Sequence, residues 1–127
     1  ELGRQPYVPH PRIRYFTLSQ VTIAKEVRSI LLSDLSQNHT ARELAERFQI
    51  GETSLKNYFR GVFGENLSVW LREARMRRAA ELLRDTELRV AEIAEQVGYE
   101  NQSKFAAVFA KQFGCPPLEY RRRARLD

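Results

Sequence analysis

The chain has 127 residues, of which 43% are apolar, and its 21 Lys and Arg residues outnumber 16 acidic ones to give a net charge of +5. This length allows one compact domain or two very small ones, and the positive charge suits a polyanionic partner such as nucleic acid. The sequence has no apolar run of about 18 residues and no signal-peptide pattern, which argues against membrane insertion and secretion, so we expect a cytoplasmic protein.

Few residues suggest enzyme or metal chemistry. The single cysteine, Cys115, has no partner for an intramolecular disulfide and stands between Gly114 and Pro116, where a turn with an inert thiol is expected. His10 and His39 are far apart and belong to no metal-binding cluster. No glycine-rich phosphate loop or Ser, His and Asp set can be identified. We therefore expect no enzyme activity, no metal site and no cofactor.

The first 16 residues contain three prolines, which disfavour a helix and predict an extended arm over residues 1–16. The arm is interpreted as a linker or a docking arm, and because the chain opens on Glu1 rather than Met, we expect an upstream domain ahead of it. Apolar residues at helical spacing then predict a first helix from about Ser19 to Leu35.

A first helix-turn-helix is predicted next. Thr40 followed by Glu43 is a capping box, which predicts a short helix ending near Phe48. A turn follows, and a longer helix is expected from about Glu52 to Phe63. Two short helices joined by a tight turn form a helix-turn-helix, so residues 17–70 are assigned to a first such subdomain.

A long helix is predicted between the two halves of the chain. Ser68 can cap it, and it has no internal Gly or Pro, so residues 68–84 are assigned to a linker helix. Such a helix is roughly 25 Å long at about 1.5 Å per residue, enough to separate two subdomains.

The second helix-turn-helix is assigned to residues 85–125. Its first helix begins near Val90, and its second runs to Phe113 with Glu100 or Asn101 as the cap. The prolines at the end of this segment then start a final turn that carries Tyr120.

The two predicted subdomains resemble copies of one unit, which would suit two similar contacts to a repetitive partner. Residues before the turn recur at an offset of 49, as Ala45 does in Ala94. Residues beyond the turn recur at an offset of 50, and the matching pairs are Leu55 and Phe105, Phe59 and Phe109, Phe63 and Phe113, Gly64 and Gly114, and Trp70 and Tyr120. One copy therefore carries one extra residue at the turn. The last pair is interpreted as core residues.

The second helix of a helix-turn-helix enters the major groove, and residues opposite its buried face contact base edges. In the first copy the inward positions are Leu55, Val62 and either Tyr58 or Phe59. The outward positions are Glu52, Thr53, Lys56, Asn57 and Arg60. Asn57 can pair with adenine, Lys56 with guanine or phosphate, and Thr53 can meet a thymine methyl. A merely solvated helix face is the alternative on spacing alone.

In the second copy three phenylalanines point inward. The outward positions are Gln102, Ser103, Ala106, Ala107 and Ala110. This nearly uncharged face indicates close approach to a partner, with helix propensity as the alternative reason for its alanines. A C-terminal arginine cluster can either neutralise phosphate or remain solvated, and its members are Arg121, Arg122, Arg123 and Arg125.

A long stretch from Ala91 to Arg121 resembles the signature of the AraC/XylS family of transcription regulators, and it reads AEIAEQVGYENQSKFAAVFAKQFGCPPLEYR. Three segments earlier in the chain also resemble the family's sequence and occur in the same order, namely ELAERF, SLKNYFRGVFG and RMRRAAELLRDT. The resemblance covers about residues 20 to 122. It implies an all-α domain of about seven helices, with two helix-turn-helix subdomains joined by a long linker helix and binding adjacent major-groove segments on one face of DNA.

Carried over by position, the family's base-contacting sites are Thr53, Lys56, Asn57, Gln102, Ser103, Ala106 and Ala107. The residues assigned to phosphate are Thr40, Arg60, Asn101, Lys104, Lys111, Arg121 and Arg122. The family often has a larger polar or basic residue at Ala106 or Ala107. It also usually has a hydroxyl cap at the positions of Gly51 and Arg89, so we expect two weakened helix starts.

The resemblance and the residues together predict a sequence-specific regulator that binds double-stranded DNA and activates transcription. Similar proteins commonly carry an upstream ligand-sensing or dimerising domain. The alternative is a protein-interaction module that contacts RNA polymerase through outward acids, which are Glu43, Glu46, Glu73 and Glu81. An RNA-binding function ranks third, because the phenylalanines fall on buried spacing and leave no aromatic pair for base stacking.

Overall fold

The computed structural model describes residues 16–126, and these residues form seven helices and no strand. The helices are α1 (Leu18–Ser33), α2 (Ala41–Arg47), α3 (Glu52–Phe63), α4 (Leu67–Asp85), α5 (Val90–Gln96), α6 (Gln102–Phe113) and α7 (Pro117–Ala124). The predicted all-α fold with about seven helices is confirmed. The predicted extended arm lies outside the described residues, except for Phe16.

Most predicted helix boundaries lie within two residues of the observed ones, and α3 matches its prediction at both ends. Ser68 does not cap α4, because the helix begins one residue earlier at Leu67. Asn101 is the N-cap of α6, and its side-chain oxygen accepts the Lys104 N–H at 2.9 Å. The predicted final turn is a helix of eight residues, α7, with Pro117 in its first turn.

The helix bounds reproduce the register of the duplication. The short helices α2 and α5 both have 7 residues, and α5 begins 49 residues after α2. The longer helices α3 and α6 both have 12 residues, and α6 begins 50 residues after α3. Both end on a glycine in the left-handed region, Gly64 at φ 76° and Gly114 at φ 80°. The extra residue therefore lies in the second turn.

The described residues divide into two compact units. The first comprises residues 16–29 and 40–67, and the second comprises residues 30–39 and 68–126. Almost all of α4 therefore belongs to the second unit, together with the last turn of α1. The boundaries predicted from the sequence, at 17–70, 68–84 and 85–125, stay predictions.

The core of the first unit is built from α1, α2 and α3. Its buried residues are Ala24, Val27, Leu44, Ala45, Leu55 and Phe59. Tyr58 is only half-buried, and the Phe16 ring packs edge-on against it with centroids 5.8 Å apart. The same Phe16 ring fills the space where a Cβ on Gly61 would lie. This contact gives a reason for a glycine inside α3, where it otherwise costs about 1 kcal/mol.

The core of the second unit joins α4, α5 and α6. Its buried cluster contains Met76, Ala79, Ala80, Leu82, Leu83, Ile93, Ala94, Val97, Phe105 and Phe109. Tyr120 from α7 packs against this cluster, with its ring centroid 5.4 Å from that of Phe109 and 5.2 Å from that of Phe113. Tyr120 is half-buried, so it closes the edge of this core, as predicted, and does not lie inside it.

A buried arginine holds the loop after α1. Arg75 on α4 is 9% exposed, and its guanidinium donates to the Leu35 and Gln37 carbonyls at 3.0 and 2.9 Å and to Asn38 Oδ1 at 3.0 Å. Burial lowers the pKa of this guanidinium, which nevertheless stays charged. We call these four residues the first arginine clamp. Gly98, at φ +87°, packs against it, and an added Cβ would lie 2.7 Å from Arg75 Cζ.

The duplication extends to a second arginine clamp, made by Arg125 with Arg84 in the last turn of α4 and with Thr86 and Glu87 just after it. Arg125 Nε donates to the Arg84 carbonyl at 3.3 Å, and its Nη2 donates to the Thr86 carbonyl. Its Nη1 donates to Glu87 Oε2 at 2.9 Å. Arg125 stands 50 residues after Arg75, and each acceptor stands 49 residues after its counterpart in the first clamp. The repeat is therefore longer than the two helix-turn-helix pairs.

Candidate nucleic-acid interface

Helix α3 has one buried and one exposed face. Leu55 and Phe59 are 1% and 0% exposed and pack into the first unit. The opposite face carries the predicted DNA contacts, and the exposed side chains there are Thr53, Lys56, Asn57 and Arg60. Their positions leave hydroxyl, ammonium, carboxamide and guanidinium groups available to a partner that approaches this face.

An ion pair lies within the exposed face of α3. Lys56 Nζ is 2.9 Å from Glu52 Oε2, and the two side chains are 55% and 46% exposed. An exposed pair at this spacing stabilises a helix by only about 0.3–0.5 kcal/mol. Lys56 can therefore exchange its partner for a base or a phosphate at small cost.

Helix α6 presents a different face. Phe105 and Phe109 are fully buried, whereas Gln102, Ser103 and Ala107 are exposed and Ala106 is half-buried. Its first turn contains no acidic residue. Hydrogen-bonding capacity is thus concentrated at the start of α6, and the alanines beyond it allow a close approach.

Two residues predicted to contact phosphate are helix caps. The Thr40 hydroxyl accepts the Glu43 N–H at 3.0 Å, and Glu43 Oε1 accepts the Thr40 N–H at 2.9 Å, so the predicted capping box of α2 is present. Asn101 caps α6 in a similar way. Thr40 and Asn101 are both exposed and each keeps a side-chain donor for a further contact.

The remaining basic residues fall into two groups. Arg60, Lys104, Lys111 and Arg122 are exposed, as a phosphate contact requires. Arg121 is instead turned onto the end of α4, where its guanidinium donates to the carbonyls of Leu83, Thr86 and Leu88 at 2.8, 3.1 and 2.7 Å. Arg121 is half-buried and uses its Nε and Nη2 donors in these three bonds, so the structure favours a structural role for it over the predicted phosphate contact.

The other arginines of the C-terminal cluster are also separated by the fold. Arg125 belongs to the second arginine clamp, and Arg123 pairs with Glu119 one turn earlier on α7. Of these four arginines, Arg122 is exposed and suited to the phosphate contact predicted for it, and the exposed Arg123 can exchange its i, i+4 partner at small cost as Lys56 can.

The two expected weak caps are visible at the helix starts. Gly51 provides no side-chain hydrogen bond to α3. At α5, the Arg89 N–H donates to Glu92 Oε1 at 2.8 Å, but a guanidinium has no acceptor for the return bond. Only one half of a capping box is therefore made at α5.

Among residues 16–126, no group of three or more His, Cys, Asp or Glu side chains is placed to hold a metal ion. None of the helices in this range is both long and apolar enough to cross a membrane. Cys115 is buried. The exposed face of α3 in the first unit and that of α6 in the second are therefore the two strongest candidate sites in the described part of the chain.

Two features of the site were missed from the sequence. The Glu52–Lys56 pair has the i, i+4 spacing of a helical ion pair, which could have indicated it. The structural role of Arg121 has no such signal, because its acceptors lie 33 to 38 residues away. The second clamp could have been found from the 50-residue offset between Arg75 and Arg125.

The chain is similar to known transcription regulators in both sequence and structure. The profile of a family described as a helix-turn-helix domain matches residues 44–123. The transcriptional activator RhaR of Mannheimia succiniciproducens is 32% identical over 105 residues, which are 83% of this chain and 38% of RhaR. The chain thus spans about two fifths of the length of this relative.

Two solved structures share the fold. The C-terminal domain of AraT, a response regulator from Geobacillus stearothermophilus, has a TM-score of 0.76 and 35% identity, over 80% of this chain and 84% of that one. The DNA-binding domain of AdpA, a global transcriptional factor solved with a target DNA, has a TM-score of 0.76 and 26% identity, over 80% of this chain and 92% of that one. The chain belongs to the AraC/XylS family of DNA-binding transcription regulators.

Proposed function

We propose that the chain binds double-stranded DNA sequence-specifically by inserting α3 and α6 into adjacent major-groove segments, and that the intact protein activates transcription. The observation that carries the proposal is the presence of two helices of 12 residues, α3 and α6, each with a buried face that includes phenylalanine and an exposed opposite face. The solved complex of AdpA with DNA and the description of RhaR as an activator support it.

The two recognition helices would contribute different contacts. In α3, Thr53, Lys56 and Asn57 offer polar groups to base edges. The corresponding positions in α6 are Ser103, Ala106 and Ala107. We therefore assign hydrogen bonding by α6 to Gln102 and Ser103, and contact with thymine methyl groups to its alanines.

Phosphate contacts would position both helices on the duplex. The residues that we assign to phosphate are Thr40, Arg60, Asn101, Lys104, Lys111 and Arg122, all of which are exposed. Asn101 and Lys104 stand at the start of α6, where the helix dipole also favours an anion. Arg121 is left out because it holds the end of α4.

A selection from random duplexes followed by footprinting of the enriched site tests the proposal. We expect protection of two neighbouring major-groove segments on one face. Six to eight phosphate contacts also predict a log–log dependence of the binding constant on salt with a slope of about −5 to −7. A flat salt response without a footprint would contradict DNA binding.

Contact with RNA polymerase is the second candidate, and it can coexist with DNA binding. Glu46 and Glu81 are exposed carboxylates that such a partner could use, although they lie near Arg42 and Arg78 at 3.6 and 3.0 Å. Binding to a protein partner should depend far less on salt than binding to DNA.

Because the chain spans about two fifths of RhaR, we also propose that the intact protein carries a ligand-sensing domain N-terminal to this chain. We propose that this intact protein acts in the cytoplasm.

A further inference from the structure

An acidic residue stands at the start of a helix that we assign to DNA. Glu52 is the first residue of α3, and its side chain is 46% exposed on the same face as Lys56. The corresponding position in α6 is the neutral Gln102. A carboxylate repels phosphate, so a purely electrostatic contact gives no reason for Glu52 to be there.

The spacing of the Glu52–Lys56 pair matches the edge of a base pair. Its Oε2 and Nζ atoms are 2.9 Å apart. In the major groove a C·G pair presents the N4 donor of cytosine beside the O6 acceptor of guanine, and these atoms are themselves joined by a hydrogen bond of about 2.9 Å. An acceptor and a donor on the helix thus lie at the same separation as a donor and an acceptor on the DNA.

We propose that the Glu52–Lys56 pair recognises one C·G base pair in a fixed orientation. The Glu52 carboxylate accepts from cytosine N4, and the Lys56 ammonium donates to guanine O6 and N7 while keeping its contact with Glu52. This inference rests on the proposed function, because it requires α3 to enter the major groove.

The same chemistry disfavours the other base pairs. A reversed G·C pair places the Glu52 carboxylate against the O6 and N7 acceptors of guanine, which repel it. An A·T pair offers the N6 donor to Glu52 and the O4 acceptor to Lys56. However, the thymine methyl group replaces the second acceptor, so Lys56 loses one hydrogen bond. The expected order of preference is C·G, then A·T, then G·C.

A structural role for the pair makes a different prediction. Glu52 at the first position of α3 also interacts favourably with the helix dipole, and its pairing with Lys56 supports the helix. If that were its whole role, replacing Glu52 would change stability slightly and would alter the affinity for all DNA sequences alike.

The test compares the 127-residue chain with Glu52→Gln and with Glu46→Gln as a matched control. Both substitutions remove one negative charge from an i, i+4 pair, but Glu46 lies on α2 and pairs with Arg42. Each protein is used to select sites from random duplexes, and Kd is then measured on the selected site and on variants with each C·G pair reversed. Circular dichroism melting confirms that all three proteins are folded.

For the unmodified chain, we expect one C·G pair whose reversal weakens binding about tenfold or more. The penalty should fall to about twofold or less in Glu52→Gln, because an amide donates as readily as it accepts. It should persist in Glu46→Gln.

An unchanged reversal penalty in Glu52→Gln at every C·G pair, with tighter binding to all DNA as in Glu46→Gln, would overturn the inference and leave the proposed function standing. If the unmodified chain enriches no sequence from the random duplexes, both the proposed function and the inference about the Glu52–Lys56 pair are contradicted.

Discussion

Asn57 carries the most specific chemistry on α3. It is exposed one position beyond Lys56, and its carboxamide combines one acceptor with two donors. This combination matches the N6 donor and N7 acceptor that adenine presents in the major groove. We therefore assign base specificity to Asn57 and phosphate binding to Arg60, one turn of helix away.

Replacing Asn57 and Arg60 in turn tests whether the first contacts a base and the second contacts phosphate. Asn57→Ala should cost about 1–3 kcal/mol of binding on the selected site and almost nothing on random duplex. Arg60→Ala is the contrasting variant and should weaken both by a similar factor, because a phosphate contact carries no sequence information. Gel shifts on the two duplexes measure both effects. Equal losses for Asn57→Ala would mean that it only holds phosphate.

The two helix-turn-helix turns place different residues in the left-handed backbone conformation at matching positions. Gly98 has φ +87° in the second turn, and Gln49, its counterpart 49 residues earlier, has φ 56° in the first. The left-handed region costs a side chain about 1–2 kcal/mol. The first turn tolerates this cost, but the second cannot, because the first arginine clamp lies where a Cβ would be placed.

Gly98→Ala should therefore lower the free energy of unfolding by about 2–4 kcal/mol, through backbone strain and the clash with Arg75 and the Leu35 carbonyl. The converse change, Gln49→Gly, should be close to neutral, because relief of strain offsets the greater entropy of the unfolded chain. Denaturant midpoints of the two variants provide the comparison. A Gly98→Ala variant as stable as the parent would show that the clamp can move aside.

The C-terminal end of α4 shows how an element depends on residues remote in sequence. The last carbonyls of any helix lack partners within it. In α4 and the segment after it, the Leu83, Thr86 and Leu88 carbonyls accept from Arg121. The side chain of one helix, α7, thereby completes the hydrogen bonding of another.

Arg121→Met would keep most of the aliphatic stem and remove the donors. Stability should fall by about 1.5–3 kcal/mol, the range for hydrogen bonds to charged groups, whereas the salt slope of DNA binding should stay unchanged. Arg122→Met is the matched control on the next residue. It should leave the melting temperature nearly unchanged and make the salt slope shallower by about 1. The opposite pattern would return Arg121 to the DNA contacts.

At the scale of the molecule, helical periodicity and caps were sufficient to predict an all-α fold and the helices α3 and α6. Leu55 and Phe59 recur at the spacing of a buried face, and the matching phenylalanines repeat 50 residues later. Periodicity did not predict that α4 groups with the second unit, that Arg75 on α4 binds the loop after α1, or that Arg121 and Arg125 bind the C-terminal end of α4. Those features depend on hydrogen bonds between residues more than 30 positions apart, which leave no local pattern.

The two units can be probed through their most buried aromatic residues. Phe109→Ala should open a cavity in the second unit and destabilise it by about 3–5 kcal/mol, and Phe59→Ala should do the same in the first. Amide hydrogen exchange reports each loss, on α5 and α6 for the former variant and on α2 and α3 for the latter. We expect DNA binding to weaken as a secondary effect. Unchanged protection would mean that the ring does not support its unit.

The two arginine clamps should respond differently to ionic strength. In the first clamp, the side-chain acceptor of Arg75 is the neutral amide of Asn38, and Arg75 is nearly shielded from solvent. Arg125 finishes on the carboxylate of Glu87, which is 87% exposed, so dissolved ions screen this attraction. A salt concentration high enough to dissociate the chain from a duplex would therefore also weaken the second arginine clamp, which follows α7. The first arginine clamp, formed by Arg75, would keep its hydrogen bonds.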